Sequence, residues 1–316
     1  MMKDIKECYE RLKGIFNITV TPFTPTGEID FAALSENIER VIAQGYDGLL
    51  IGGTYGEFPV MSLAERRALF IYVMDFVKDR VAVMLCSAAS DPREARELTK
   101  LAGELGGLPM VTAPFVSEIT DEQIVTYFEE MALLSRTGIL VYNAPGIGIT
   151  LTPNLLERLA DISGVVGIKQ GDLTPTVIDQ IANRLAGKLR LFCASDLAFL
   201  GPMMAGFDGI STTNSGALPE LILATYRALE QGDANTAKAL HQLWFEYRTL
   251  ARQHGQPQLV KAAMALRGFN GGMVRPPLKP ISEQALQSLT KVMQQLASDS
   301  RTGVKLSFEQ PLARNL

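Results

Sequence analysis

The chain is poor in the residues from which many catalytic and metal sites are built. Only two histidines, His241 and His254, and three cysteines, Cys8, Cys86 and Cys193, occur in 316 residues. Both histidines fall late and away from any motif, which argues against a Ser-His-Asp triad or a histidine metal site. Three scattered cysteines make neither a disulfide framework nor a zinc site, so no metal and no other cofactor is expected. Long apolar runs are missing too. No stretch offers the roughly 18 uninterrupted apolar residues of a membrane span, and Met1–Cys8 lacks the apolar core of a signal peptide. Charge of one sign is not concentrated, and a net charge of −4 gives no pull towards nucleic acid or anionic lipid. With Cys86 and Cys193 as inert thiols inside apolar runs, the expectation is a cytoplasmic protein that binds neither nucleic acid nor membrane.

What the chain does have is a regular alternation. Eight short apolar runs occur at Ile15–Phe23, Gly48–Gly53, Val81–Ala88, Leu108–Pro114, Gly138–Asn143, Val165–Lys169, Leu189–Ser195 and Gly209–Thr213. Between them lie segments of helical spacing such as Phe31–Gln44, Ser62–Lys78, Pro92–Leu105, Asp121–Leu134 and Pro153–Asp161, with Leu218–Leu229 following the last. Ser62 stands three residues before Glu65 as a capping box, and Asp91-Pro92, Thr152-Pro153 and Thr174-Pro175 put proline at a first helical position. Continuous rather than alternating apolar runs predict parallel strands covered on both faces. Eight such units close a (β/α)₈ TIM barrel, whereas an open doubly wound sheet usually stops at five or six strands. Beyond Asp233 the pattern turns to helices alone, over Asn235–His254, Leu259–Arg267 and Ser282–Ser298. The expected organisation is an N-terminal extension over 1–13, the barrel with the active site over 14–230, a C-terminal helical appendage over 231–299 and a loose tail over 300–316.

In such a barrel the C-terminal strand ends face the active site. Those ends carry Thr21-Pro22-Phe23, Gly52-Gly53-Thr54-Tyr55-Gly56-Glu57, Tyr142-Asn143-Ala144-Pro145, Lys169, Ser195-Asp196 and Ser211–Asn214. Lys169 has two readings. Its stem lies along apolar surface while the amine reaches water, or the amine is held in the core, where burial lowers its pKa and leaves a nucleophile near neutral pH. The Gly52–Glu57 turn is either a plain strand-to-helix connection or an anion cradle of successive amides beside a hydroxyl. Tyr142 is either a packed aromatic or a phenol that moves protons beside a cation.

These residues resemble the dihydrodipicolinate synthase/N-acetylneuraminate lyase family, whose members join a lysine to a 2-oxo acid as a Schiff base. The marks are Thr21-Pro22-Phe23, Gly53-Thr54-Tyr55-Gly56-Glu57, Tyr142-Asn143-x-Pro145, Ile168-Lys169 and the late turn Arg275-Pro276-Pro277-Leu278-Lys279-Pro280, over about Gly14 to Leu296. The resemblance implies Lys169 as the Schiff-base lysine, Tyr142 and Thr54 as proton carriers, and Gly53, Thr54, Tyr55 and Ile210 as substrate-binding residues. It also implies a homotetramer built as a dimer of dimers. Two departures stand out. Ile147 occupies the place where the synthase branch has an arginine for a second carboxylate, which argues against that branch. Pro114-Phe115-Val116 stands where many members have a tyrosine pair, one of which serves a neighbouring subunit, and Tyr55 replaces a smaller residue. The expected activity is a lyase of the class I aldolase type on a 2-keto-3-deoxy sugar acid or 4-hydroxy-2-oxo acid, with pyruvate as one product. A dehydratase using the same imine, and a non-catalytic sugar-acid-binding protein, are the alternatives.

Overall fold

The computed structural model describes residues 1–307. Among these residues, eight strands are found at β1 (Gly14–Ile18), β2 (Gly48–Ile51), β3 (Ala82–Cys86), β4 (Leu108–Val111), β5 (Ile139–Asn143), β6 (Val165–Gln170), β7 (Arg190–Cys193) and β8 (Gly209–Thr212). They close into a parallel barrel in chain order, the (β/α)₈ architecture that the sequence pattern predicts. The helices that precede and alternate with them are α1 (Ile5–Arg11), α2 (Phe31–Ala43), α3 (Leu63–Val77), α4 (Pro92–Glu104), α5 (Asp121–Leu133), α6 (Pro153–Ala160), α7 (Pro175–Leu185), α8 (Leu200–Met204) and α9 (Pro219–Glu230). Four more follow: α10 (Ala234–Leu243), α11 (Phe245–His254), α12 (Gln256–Leu266) and α13 (Glu283–Ser298). No described helix is long and apolar enough to cross a membrane.

Local chemistry sets the helix starts. Ser62 and Glu65 form a complete capping box at α3, and Thr120 and Gln123 form a second at α5. Thr152 accepts from the Leu155 amide at α6. At α7 Thr174 makes no side-chain cap bond, so its proline alone presets the first turn.

Contacts divide the chain into two compact units: Met1–Phe16, Asp47–Leu50 and Ser62–Ser211 in one, and Asn17–Tyr46, Ile51–Met61 and Thr212–Leu316 in the other. The first centres on apolar strand residues. Phe16 and Phe192 meet edge to face with centroids 5.0 Å apart, and a Cβ at Gly48 or Gly209 would run into one of these rings. The second unit is packed around Trp244, Tyr247 and Tyr226, all but fully buried.

Most expected runs overshoot the observed strands by a few residues, and two differences from the sequence reading have a clear physical cause. The first strand ends at Ile18 rather than Phe23. Pro22 has no amide for a ladder, and Phe23 instead bridges singly to Ile29 and Met273. The segment Asn235–His254 is two helices, not one. Trp244 leaves helical geometry at φ −102° and ψ 25°, its ring buried against His241 and Tyr247. Of the expected loose tail, Ser300–Thr302 is a 3₁₀ turn with Thr302 and then Val304 buried, and the part beyond residue 307 lies outside the described residues.

Candidate active site

In the first unit the ladder between β5 and β6 pairs Tyr142 with Lys169 and Asn143 with Gln170. Directly paired residues share a face, and neighbours along a strand point to opposite faces. Tyr142 and Lys169 therefore lie side by side, with the Lys169 Nζ 3.9 Å from the centre of the Tyr142 ring. The strand runs one residue past Lys169, which is only 3% exposed. The reading of a lysine reaching into water is thus excluded. Burial pushes the Lys169 pKa down to about 8. Cys86, Cys193 and Asp196 act in the opposite direction but by less than burial, and burial in turn raises both thiols, Cys193 to about 12. An amine in this state is a usable nucleophile near neutral pH. The Tyr142 ring meanwhile favours the cationic form that an iminium shares with an ammonium.

On the opposite face of the same strands, Asn143 acts as a loop staple that sequence reasoning missed. Its side chain donates to the Leu151 carbonyl and accepts from the Leu151 amide, each at 2.9 Å. It also donates to Gln170 Oε1 at 3.0 Å. The bond pair closes the segment 144–151, which contains Ile147, over the end of β5. Phe115, after β4, packs on that segment at Gly148. Ile210, the expected binding residue on β8, is fully buried and paired with Cys193.

The second unit holds Gly53, Thr54 and Tyr55. Residues Thr54–Gly56 form a single 3₁₀ turn, in which the Gly56 and Glu57 amides donate to the Gly53 and Thr54 carbonyls. Glu57 then adopts a left-handed conformation, φ 61°, which is uncommon for a residue with a side chain. Its carboxylate is the anchor. Oε1 accepts from the Lys261 Nζ at 2.5 Å and Oε2 from the Arg275 amide at 3.0 Å. Lys261 also donates to the carbonyls of Thr21 and Met273. The Arg275 guanidinium lies 4.1 Å over the Phe23 ring and donates to the Val60 carbonyl. The late Arg275–Pro280 turn and Thr21-Pro22-Phe23 thus meet around Glu57. Lys261 carried no motif that would single it out; an isolated lysine in a helical run has no sequence signal for burial.

Comparison with known proteins agrees with this architecture. A model of the dihydrodipicolinate synthetase family matches residues 11–296. The chain is 31% identical over 289 residues to a 4-hydroxy-tetrahydrodipicolinate synthase of Sorangium cellulosum, covering 90% of this chain and 96% of that one. With the enzyme of the same name from Streptococcus pneumoniae it shares 27% over 294 residues, 92% of this chain and 93% of the other. Among solved structures, a prophage protein of the dihydrodipicolinic acid synthase family from E. coli K12, in complex with pyruvate, superposes with a TM-score of 0.83 at 27% identity, covering 90% and 98% of the two chains. A dihydrodipicolinate synthase from Bacillus anthracis gives 0.84 at 27%, covering 93% and 99%. The chain belongs to the dihydrodipicolinate synthetase family and is a lyase of the class I aldolase type.

Proposed function

We propose that this enzyme cleaves or forms a carbon–carbon bond in a 2-keto-3-deoxy sugar acid or 4-hydroxy-2-oxo acid through an imine on Lys169, with pyruvate as one product. The observation that carries this reading is the buried Lys169 amine against the Tyr142 ring. The neutral amine attacks the C2 ketone, and loss of water gives a protonated imine. Tyr142 takes the proton of the C4 hydroxyl as the C3–C4 bond breaks, and its electron pair flows into the imine to give an enamine. The aldehyde leaves, a proton returns to C3, and hydrolysis of the imine frees pyruvate and the lysine. Thr54 is assigned to the proton path, and the Gly53-Thr54-Tyr55 turn to the substrate carboxylate, with Ile210 as part of the wall.

The synthase named among the relatives is the competing reading. Ile147 speaks against it, because an alkyl side chain cannot pair with a second carboxylate where the synthase branch has an arginine. The segment that bears Ile147 also packs against the apolar Phe115 ring at Gly148. A dehydratase would use the same imine and expel a hydroxyl instead. On the family likeness we assign the active site to the 14–230 barrel and the assembly to a cytoplasmic homotetramer. Three buried free thiols suit a reducing compartment.

Incubation with a panel of 2-keto-3-deoxy sugar acids and 4-hydroxy-2-oxo acids tests the proposal by product analysis. Pyruvate with an equimolar aldehyde is the expected outcome. A product that keeps the carbon skeleton would establish the dehydratase. Formation of 4-hydroxy-tetrahydrodipicolinate, with none of the panel turned over, would establish the synthase.

A further inference from the structure

We infer that Gln256 and Lys261, both on α12, are positioning residues that set the Thr54–Tyr55 turn for recognition of the substrate carboxylate; the inference rests on the proposed role of that turn. The two residues are five apart, about 7.5 Å along the helix axis, and each grips a different point of the turn. Gln256, 9% exposed, donates from Nε2 to the Tyr55 hydroxyl oxygen at 2.9 Å. Its Oε1 accepts from Asn214 Nδ2 at 3.1 Å, which fixes the amide's orientation and makes the Tyr55 oxygen the acceptor. Lys261 grips Glu57 two residues further on, with both side chains under 5% exposed.

The energetics argue for positioning rather than for stability alone. A buried ion pair loses much of its attraction to desolvation, and apolar replacements of similar volume are often equally stable. What Lys261 supplies that an apolar pair would not is direction. Its three bonds, to Glu57, the Thr21 carbonyl and the Met273 carbonyl, tie three separate segments to one atom. Glu57 in turn holds a left-handed backbone immediately after the turn. Thr21 Oγ1 adds a bond to the Gly56 carbonyl at 2.7 Å. The turn is thereby fixed at Tyr55, Gly56 and Glu57, while Thr54 and the Tyr55 amide lie just upstream. Amides preorganised in this way gain affinity for a carboxylate because little ordering remains to be done on binding.

The test compares two ligands in the full-length protein, each trapped on Lys169 by borohydride: pyruvate, which has the carboxylate, and methyl pyruvate, which does not. Two variants are used, Gln256→Leu and the double variant Glu57→Gln/Lys261→Met, in which the glutamine retains an acceptor for the Arg275 amide. Folding is checked by circular dichroism, and either folded variant is sufficient. The expected result is about a tenfold rise in the pyruvate concentration for half-maximal trapping, equivalent to one hydrogen bond to a charged group, with methyl pyruvate unchanged. Equal weakening of both ligands, or of neither, overturns the inference while leaving the imine intact. Absence of any adduct in the unsubstituted protein overturns the proposed function and this inference together.

Discussion

At the scale of single residues, the proposed chemistry rests on Lys169. A lysine whose pKa is pushed down to about 8 by burial binds fewer protons when folded than when unfolded between pH 8 and its ordinary value near 10.5. Stability therefore rises with pH across that window. Lys169→Met, which removes the buried cation, is expected to unfold at higher denaturant concentration than the unsubstituted protein at pH 7. The gap should narrow steadily as pH passes 8; a gap independent of pH would contradict the buried-amine account. Tyr142→Phe keeps the ring over the amine and removes the proposed acid/base, so turnover should fall about 10²–10⁴-fold while a pyruvate adduct still forms. Single-turnover trapping separates the two effects. The sequence offered both fates for Lys169, because a lysine written at the end of an apolar run is equally compatible with solvent. The further strand residue Gln170, bonded to the Asp172 carbonyl and Asn143, places Lys169 inside the ladder. That is a tertiary fact, set by a partner strand.

At the scale of elements, the caps show what sequence can and cannot decide. Ser62 and Thr174 look alike as helix starts, yet only Ser62 accepts a capping bond. Ser62→Ala should cost about 1 kcal/mol of stability, and Thr174→Ala close to none, by chemical denaturation. Comparable losses would mean that the cap bond is not the difference. The strands were legible because parallel strands buried on both faces need continuous apolar runs. Their ends were less so, since Thr19–Phe23 is as apolar and β-branched as a strand but leaves the ladder after Ile18. The break at Trp244 had no glycine or proline to announce it. The Glu57–Lys261 pair was invisible for a different reason: its members lie 204 residues apart, and nothing local to either implies the other.

At the scale of the whole molecule, the barrel depends on glycines that make room for aromatic rings. Gly48→Ala should cost about 1–3 kcal/mol through overpacking against Phe16. Adding Phe16→Leu should return part of that loss, giving a non-additive double-mutant cycle. Strict additivity would show that the two positions do not compete for space. Eight strand–helix units were countable in the sequence, and the family marks lay at strand ends, so the fold and Lys169 with Tyr142 were within reach. The course of the 144–151 segment was not within reach, because it is set by the Asn143 staple and not by any motif.

The central claim is a covalent one, and reduction with borohydride in saturating pyruvate addresses it directly. The account predicts a reduced pyruvyl adduct on the peptide containing Lys169, forming faster as pH rises through about 8 and absent from Lys169→Met. An unmodified Lys169 under those conditions, or an adduct that maps to another lysine, would contradict it.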